Sequence, residues 1–177
     1  MLLRSFGLTG LDYRQEARIP STKNSEEEKI IIAEVVNKID RANGKCTARI
    51  FLFMKNHVLL VDQKSGHIKP AVPLGDVTKV SMSSQNNGFF AVHLREGFGA
   101  TGKEGFLFSS DHPIEMATKL YRTALSQTNQ KLNIEISDEF LVRFKQEKVC
   151  MKFVQGNQKN GSIPTRKNNR LFEVAVP

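Results

Sequence analysis

The stretch Ile30-Ile31-Ile32-Ala33-Glu34-Val35-Val36-Asn37-Lys38-Ile39-Asp40, Arg41-Ala42-Asn43-Gly44-Lys45, Cys46-Thr47-Ala48-Arg49-Ile50-Phe51-Leu52-Phe53-Met54 decides the reading of this chain. Two β-branched and aromatic-rich runs flank Asn43-Gly44, a dipeptide that favours the positive φ angles of a tight hairpin turn. The mouth of this predicted hairpin carries Lys38, Arg41, Lys45 and Arg49 against one acid, Asp40. Cations from two paired strands and their connecting turn converge there. A multiply charged anion fits such a spot, and a phosphorylated lipid headgroup is the leading candidate.

Outward from the hairpin, short strand patterns follow one another. His57 to Asp62 is a strand after a turn at Lys55-Asn56, and Gln63 to His67 is a loop with the Gly that tight turns favour. Ile68 to Val72 reads as a short strand stopped by Pro73, and Val77 to Ser83 alternates like a half-exposed strand. Asn86-Asn87-Gly88 turns into Phe89 to Arg95, and the Gly-rich loop 97–103 leads to Gly105 to Phe108. The period then changes from 2 to 3.6. Ile114, Ala117, Leu120, Tyr121, Ala124 and Leu125 share one helical face, which predicts a helix over 112–128. Pro113 fits its first turn, and Ser110 or Asp111 its cap. Seven antiparallel strands and one amphipathic helix predict a mainly β, pleckstrin-homology-like barrel of two nearly orthogonal sheets, closed at one end by the helix.

Three further strand patterns follow, at 132–136, 139–144 and 148–154, then a Gly-, Asn- and Lys-rich loop over 155–169 and a last strand at 171–176. The predicted organisation is a linker over 1–29, a pleckstrin-homology-like core over 30–128, and a β extension over 129–177 packed on that core.

The 177 residues carry a net charge of +8, unevenly spread. Residues 38–69 hold 7 bases and 2 acids, and residues 131–177 hold 9 and 5, against 5 and 6 over 1–37 and 5 and 5 over 70–130. Such concentration points to an anionic partner, membrane lipid or nucleic acid. Cys46 and Cys150 fit no metal spacing and sit in strand-like runs, so both are expected reduced and packed. His57, His67, His93 and His112 are scattered, which predicts neither a metal site nor a catalytic constellation. No cofactor motif is present. The N-terminal apolar stretch is too short for a signal peptide, there is no Met-Gly start for myristoylation, and no apolar run approaches the ~20 residues of a membrane span. The expectation is an intracellular, soluble chain whose membrane contact is peripheral.

The run Ala33 to Lys45 resembles the opening of the tail homology 1 domain of class I myosins. His57-Val58-Leu59-Leu60, Val80 to Ser84, Phe89 to Leu94 and Ser110 to Tyr121 follow in the same family order. The resemblance covers about residues 30–177, with Gly10 to Tyr13 ahead of them, and is nearest the short-tailed, brush-border-like members. It implies a pleckstrin-homology-like core with extra C-terminal strands that attaches a motor to anionic phospholipids, phosphoinositides included. The family's signature lipid-contacting pair maps onto Lys38 and Arg49, and Lys45 matches a basic position of the same loop. A parent protein would be an actin-based motor with calmodulin-type light chains, at the cytoplasmic face of plasma membrane or vesicles and in the cortical cytoskeleton. This chain lacks the motor's phosphate-binding loop and the Ile-Gln neck repeats. It is therefore expected to be an isolated tail, fragment or truncated product, and not itself an enzyme.

The expected headgroup residues are thus Lys38, Arg49, Lys45 and Arg41. Lys64, His67 and Lys69, on the connection after the third strand, are expected peripheral anionic contacts, as is Lys103 on the Gly-rich loop. Phe98 on that loop could dip into a bilayer. Two rivals stand beside the lipid reading. A nucleic-acid binder would need aromatics beside the cations or a groove-reading helix, and the 112–128 helix offers only Lys119 and Arg122 beside Glu115. The other rival is a protein-interaction module of the same fold without lipid function.

Overall fold

Asn43-Gly44 closes a hairpin between β1 (Ile30–Ile39) and β2 (Cys46–Met54) in the computed structural model. The turn is wider than the dipeptide alone predicts. The ladder ends at Ile39 opposite Cys46, and the Gly44 N–H donates to the Asp40 carbonyl at 2.8 Å. Two short polar side chains hold this wider loop. Asp40 Oδ1 accepts the Ala42 N–H at 2.7 Å, and Asn43 Oδ1 accepts the Lys45 N–H at 2.8 Å. Gly44 stands at φ +74°, the left-handed region where glycine is unstrained. The structure describes residues 29–40, 42–85, 87–97, 105–144, 147–156 and 163–176. The predicted linker up to residue 28, Arg41, Phe98 and Lys103 lie outside them.

Further strands follow in chain order: β3 (His57–Asp62), β4 (Val72–Pro73), β5 (Val77–Met82), β6 (Phe89–Leu94) and β7 (Gly105–Ser109). All neighbours among them run antiparallel, in the order β4-β3-β2-β1-β7-β6-β5. The expected Ile68–Val72 strand shrinks to β4, with Ile68 making a single bridge to Val61. Pro73 cannot donate to a ladder, and this strand is a sheet edge, where that costs least. The two halves of the barrel join through a short seam, Asn37 opposite Ser109 and Lys38 opposite Phe108.

Side chains on the inner face form the main core, with Val36, Phe51, Phe53, Val80, Phe90 and Phe108 fully or almost fully buried. Phe51 meets Phe108 edge-on at 5.8 Å between centroids, the favoured geometry for aromatic pairs. Helix α1 (Pro113–Thr128) caps this core through Met116, Ala117, Leu120 and Ala124. Its buried stripe is narrower than the sequence pattern predicts: Ile114 is 72% exposed and Leu125 42%, while Met116 is buried. The cap also differs. His112 is the N-cap and makes no capping bond, whereas the Ser110 hydroxyl accepts the His112 N–H at 3.0 Å.

After the helix, β8 (Asn133–Ile136) adds to the same sheet, parallel to β5. Strands β9 (Glu139–Phe144), β10 (Glu147–Gln155), β11 (Ile163–Asn168) and β12 (Leu171–Val176) form a second sheet in the order β11-β12-β10-β9. Strand β11 lies where the sequence reads as loop, because Pro164, Lys167 and Asn168 give it little strand character. The second sheet covers the outer face of the barrel. Phe140, Val142, Met151, Phe153, Phe172 and Val174 pack against Ile39, Phe89, Ala91 and Leu107. Strands β6 and β7 are therefore buried on both faces, and the chain there runs apolar without alternation. Neither cysteine is packed as expected: Cys46, at the first position after the loop, is exposed, and Cys150, on the second sheet, is half-buried.

Candidate functional site

Register places Lys38 and Arg49 on one face of the first hairpin. Residues directly opposite in an antiparallel pair share a face, and Lys38 stands opposite Thr47 while Arg49 stands opposite Val36. The two cations are therefore diagonal neighbours. The same face carries Val36 and Phe51, which belong to the barrel core. The inward-facing row thus changes from apolar to cationic as it approaches the loop end. Both side chains are half-buried at that rim.

Asp62, in sequence simply one of the two acids among residues 38–69, completes the arrangement. It faces Arg49 across β2 and β3, with Nη1 to Oδ2 at 2.7 Å. Nη1 also donates to the Ala48 carbonyl at 2.9 Å. Among the described residues nothing engages Nη2 or Nε, so the guanidinium keeps donors for a ligand. The other Asp62 oxygen accepts the backbone N–H groups of Lys64 and Ser65, each at 3.0 Å. These bonds, the Ser65 N–H first, hold the carboxyl below the usual carboxylate range, and the Arg49 guanidinium adds to the effect. One carboxylate thereby fixes the Arg49 side chain and the start of the β3–β4 connection. Asp62-x-x-Ser65-Gly66 is a recognisable turn signal, but the pairing with Arg49 needs the strand register.

The remaining expected contacts spread around this rim. Lys45 is exposed on the hairpin loop, one position before β2. Lys64 and His67 are exposed on the β3–β4 connection, where the His67 carbonyl accepts the Asp62 N–H at 2.8 Å. Lys69 is half-buried, with its N–H donating to the Leu60 carbonyl at 2.9 Å. Arg41 and Lys103 lie outside the described residues. Among the described residues, no group of three or more His, Cys, Asp or Glu is placed to hold a metal, and no helix is long and apolar enough to cross a membrane.

A second polar cluster lies in the sheet, away from the hairpin. Ser81 Oγ donates to Glu135 Oε2 at 2.6 Å and lies 2.8 Å from His93 Nε2. A hydroxyl has one proton, so the His93 ring must donate to Ser81 through Nε2–H. Lys79 pairs with the same Glu135 oxygen at 2.9 Å. Burial, and then the Lys79 charge, push the His93 imidazole down to about 4, so it is neutral near pH 7. Ser81 is fully buried and cannot serve as a nucleophile toward a substrate. The cluster ties β5, β6 and β8 together.

Comparison with known proteins agrees with this architecture. Residues 10–175 match a family model described as unconventional myosin tail, actin- and lipid-binding. Unconventional myosin-Ib of Homo sapiens is 72% identical over 169 residues, covering 94% of this chain and 15% of that protein. Unconventional myosin-Ia of Homo sapiens is 40% identical over 162 residues, covering 90% and 16%. The chain thus spans about 15% of the length of these relatives. In fold it is similar to the hSac2 domain from human phosphoinositide phosphatase Sac2, at a TM-score of 0.53 and 13% identity, over 82% of this chain and 90% of that one. The chain belongs to the unconventional myosin tail family, as a class I tail homology 1 domain, and that family is actin- and lipid-binding.

Proposed function

We propose that this domain docks on anionic membranes and that the rim of its first hairpin is the headgroup site for phosphoinositides. The observation that carries the reading is the diagonal pair of Lys38 and Arg49 on one face, with Asp62 orienting the arginine. Arg49 offers a fork to a phosphate and Lys38 a point charge. Lys45 and Arg41 add charge from the loop. Lys64, His67, Lys69 and Lys103 are peripheral contacts.

Each Lys or Arg near an anionic leaflet contributes ~1 kcal/mol, so four or five give roughly 4–5 kcal/mol, or three to four orders of magnitude in partitioning. That supports reversible, peripheral docking. The exposed Lys148, Lys152, Lys167 and Arg170 of the second sheet add attraction without selectivity. The domain acts by binding and not by catalysis. A full-length parent would be an actin-based motor carrying calmodulin-type light chains, held at the cytoplasmic face of plasma membrane or vesicles and in the cortical cytoskeleton.

Co-sedimentation with vesicles of phosphatidylcholine, of phosphatidylcholine with phosphatidylserine, and of the same mixture with a phosphoinositide tests the proposal. Binding that rises at each step supports it. Equal binding to the last two at matched surface charge removes the headgroup site, and binding to none leaves the protein-interaction reading.

A further inference from the structure

The C-terminal sheet reaches the hairpin loop at two points. Pro164 is buried on β11, and its carbonyl lies 2.8 Å from where a Cβ on Gly44 would stand; the Phe172 ring lies 3.3 Å from the same point. Arg166 makes the second contact, donating from Nη1 to the Ala42 carbonyl at 3.2 Å. Other donors of its guanidinium reach its own strand turn. Nε donates to the Asn168 carbonyl at 3.2 Å, Nη2 to the Asn169 carbonyl at 3.4 Å, and Cζ lies 5.7 Å from the centre of the Phe172 ring. A planar fork that stacks and bonds at once is a task for arginine and not lysine. Ala42 and Asn43 face residues 164–169 across an open cleft.

We infer that Arg166 is a positioning residue for the lipid-contacting loop: the C-terminal sheet sets the loop backbone, and with it the place of Lys45 at the rim. The inference rests on the headgroup reading above. It gives the extension a role in recognition beyond covering the barrel. Arg166 touches the loop through a backbone carbonyl, so its effect on binding passes through the loop.

The test uses the full 177-residue chain. Arg166→Lys keeps the charge and loses the fork. It should weaken binding to phosphatidylserine vesicles containing phosphatidylinositol bisphosphate by roughly fivefold, the scale of one ordinary net hydrogen bond. Binding to vesicles of phosphatidylserine without the phosphoinositide should stay within about twofold. The amide resonances of Ala42, Gly44 and Lys45 should move while those of α1 stay. In a Lys45→Ala background, Arg166→Lys should cause no further loss. Wild-type binding by Arg166→Lys overturns the inference, and so does an undiminished loss in the Lys45→Ala background, which marks a direct lipid contact or a general loss of stability. If Arg166→Lys does not fold, the wild-type chain carries the test. On titration with a soluble inositol phosphate, the Ala42 amide and Arg166 Nε resonances should shift with one midpoint, and an Arg166 signal that stays put while Lys45 moves overturns the inference. Lys38→Ala with Arg49→Ala is the control. If that pair binds like wild type, the headgroup reading fails; if it loses binding and Arg166→Lys does not, only this inference fails.

Discussion

Arg49 and Asp62 face each other across the second and third strands, Nη1 to Oδ2 at 2.7 Å, and the same carboxylate holds the backbone of Lys64 and Ser65. An acid inside a cationic rim works against raw attraction and in favour of geometry. Asp62→Asn should therefore have two opposed effects. Removing one negative charge should strengthen binding to phosphatidylserine vesicles a few-fold, on the order of 1 kcal/mol. Releasing the Arg49 fork should lower the ratio of phosphoinositide to phosphatidylserine affinity. A variant with an unchanged or higher ratio shows that Asp62 does not orient Arg49 for a ligand.

Salt separates surface attraction from insertion. The excess positive charge lies in residues 38–69 and 131–177, at +5 and +4. The screening length falls to about 8 Å at physiological ionic strength. Binding to phosphatidylserine vesicles should drop steeply between low and physiological salt in a sedimentation assay. Binding that ignores salt would instead mean that apolar side chains enter the bilayer.

Acid should destabilise the fold through His93. Its imidazole sits at about 4 in the fold, against about 6.5 for an unfolded histidine, so the unfolded chain binds more protons between these limits. Stability present above pH ~6.5 is lost as pH falls toward ~4, by about 3 kcal/mol in total. His112 has the opposite sign. The hydrogen bond it donates to Glu34 and the Glu34 charge raise it, so its support is present below ~6.5 and fades as pH rises through its folded value; exposure keeps this small. Urea unfolding at pH 7 and pH 5 measures the net slope. His93→Gln, which can still donate to Ser81, should flatten it, and an unaltered slope would assign the acid sensitivity elsewhere.

The C-terminal strands should be required for folding. Ending the chain at Thr128 uncovers Ile39, Phe89, Ala91 and Leu107 and strips β8 from β5, leaving an open edge. Such a chain should aggregate or unfold without cooperativity. Within the full chain, Phe172→Ala should cost about 3–5 kcal/mol, since its ring is fully buried in that layer. A soluble, monomeric 1–128 chain that unfolds as cooperatively as the full one would make the extension a separate appendage.

Much of this was legible along the chain, where the signal is local. The β1–β2 hairpin, the change of period at Pro113 and the alternation of Phe140 and Val142 all depend on near neighbours. What needed the structure is what distant segments impose. Phe89-Phe90 and Phe106-Leu107-Phe108 run apolar without alternation because two layers cover them, one formed only after residue 139. Ile114 and Leu125 fit a helical face by spacing, yet both stay exposed. At the rim, residue type marked Lys38 and Arg49, while Asp62 and Arg166 become meaningful only through register and through a contact spanning 124 positions. Arg166 in particular sits in a Lys- and Asn-rich segment that reads as loop.

In the proposed docking mode, Lys38 and Arg49 together form the phosphoinositide site. The most direct measurement is co-sedimentation of the Lys38→Ala/Arg49→Ala chain with phosphoinositide vesicles, beside a near-ultraviolet or amide-exchange check that the fold is intact. A tenfold or larger loss is expected, from two charges at ~1 kcal/mol each and the hydrogen bonds they carry, with a smaller loss on phosphatidylserine alone. A folded double variant that binds phosphoinositide vesicles as the wild type does would contradict the account.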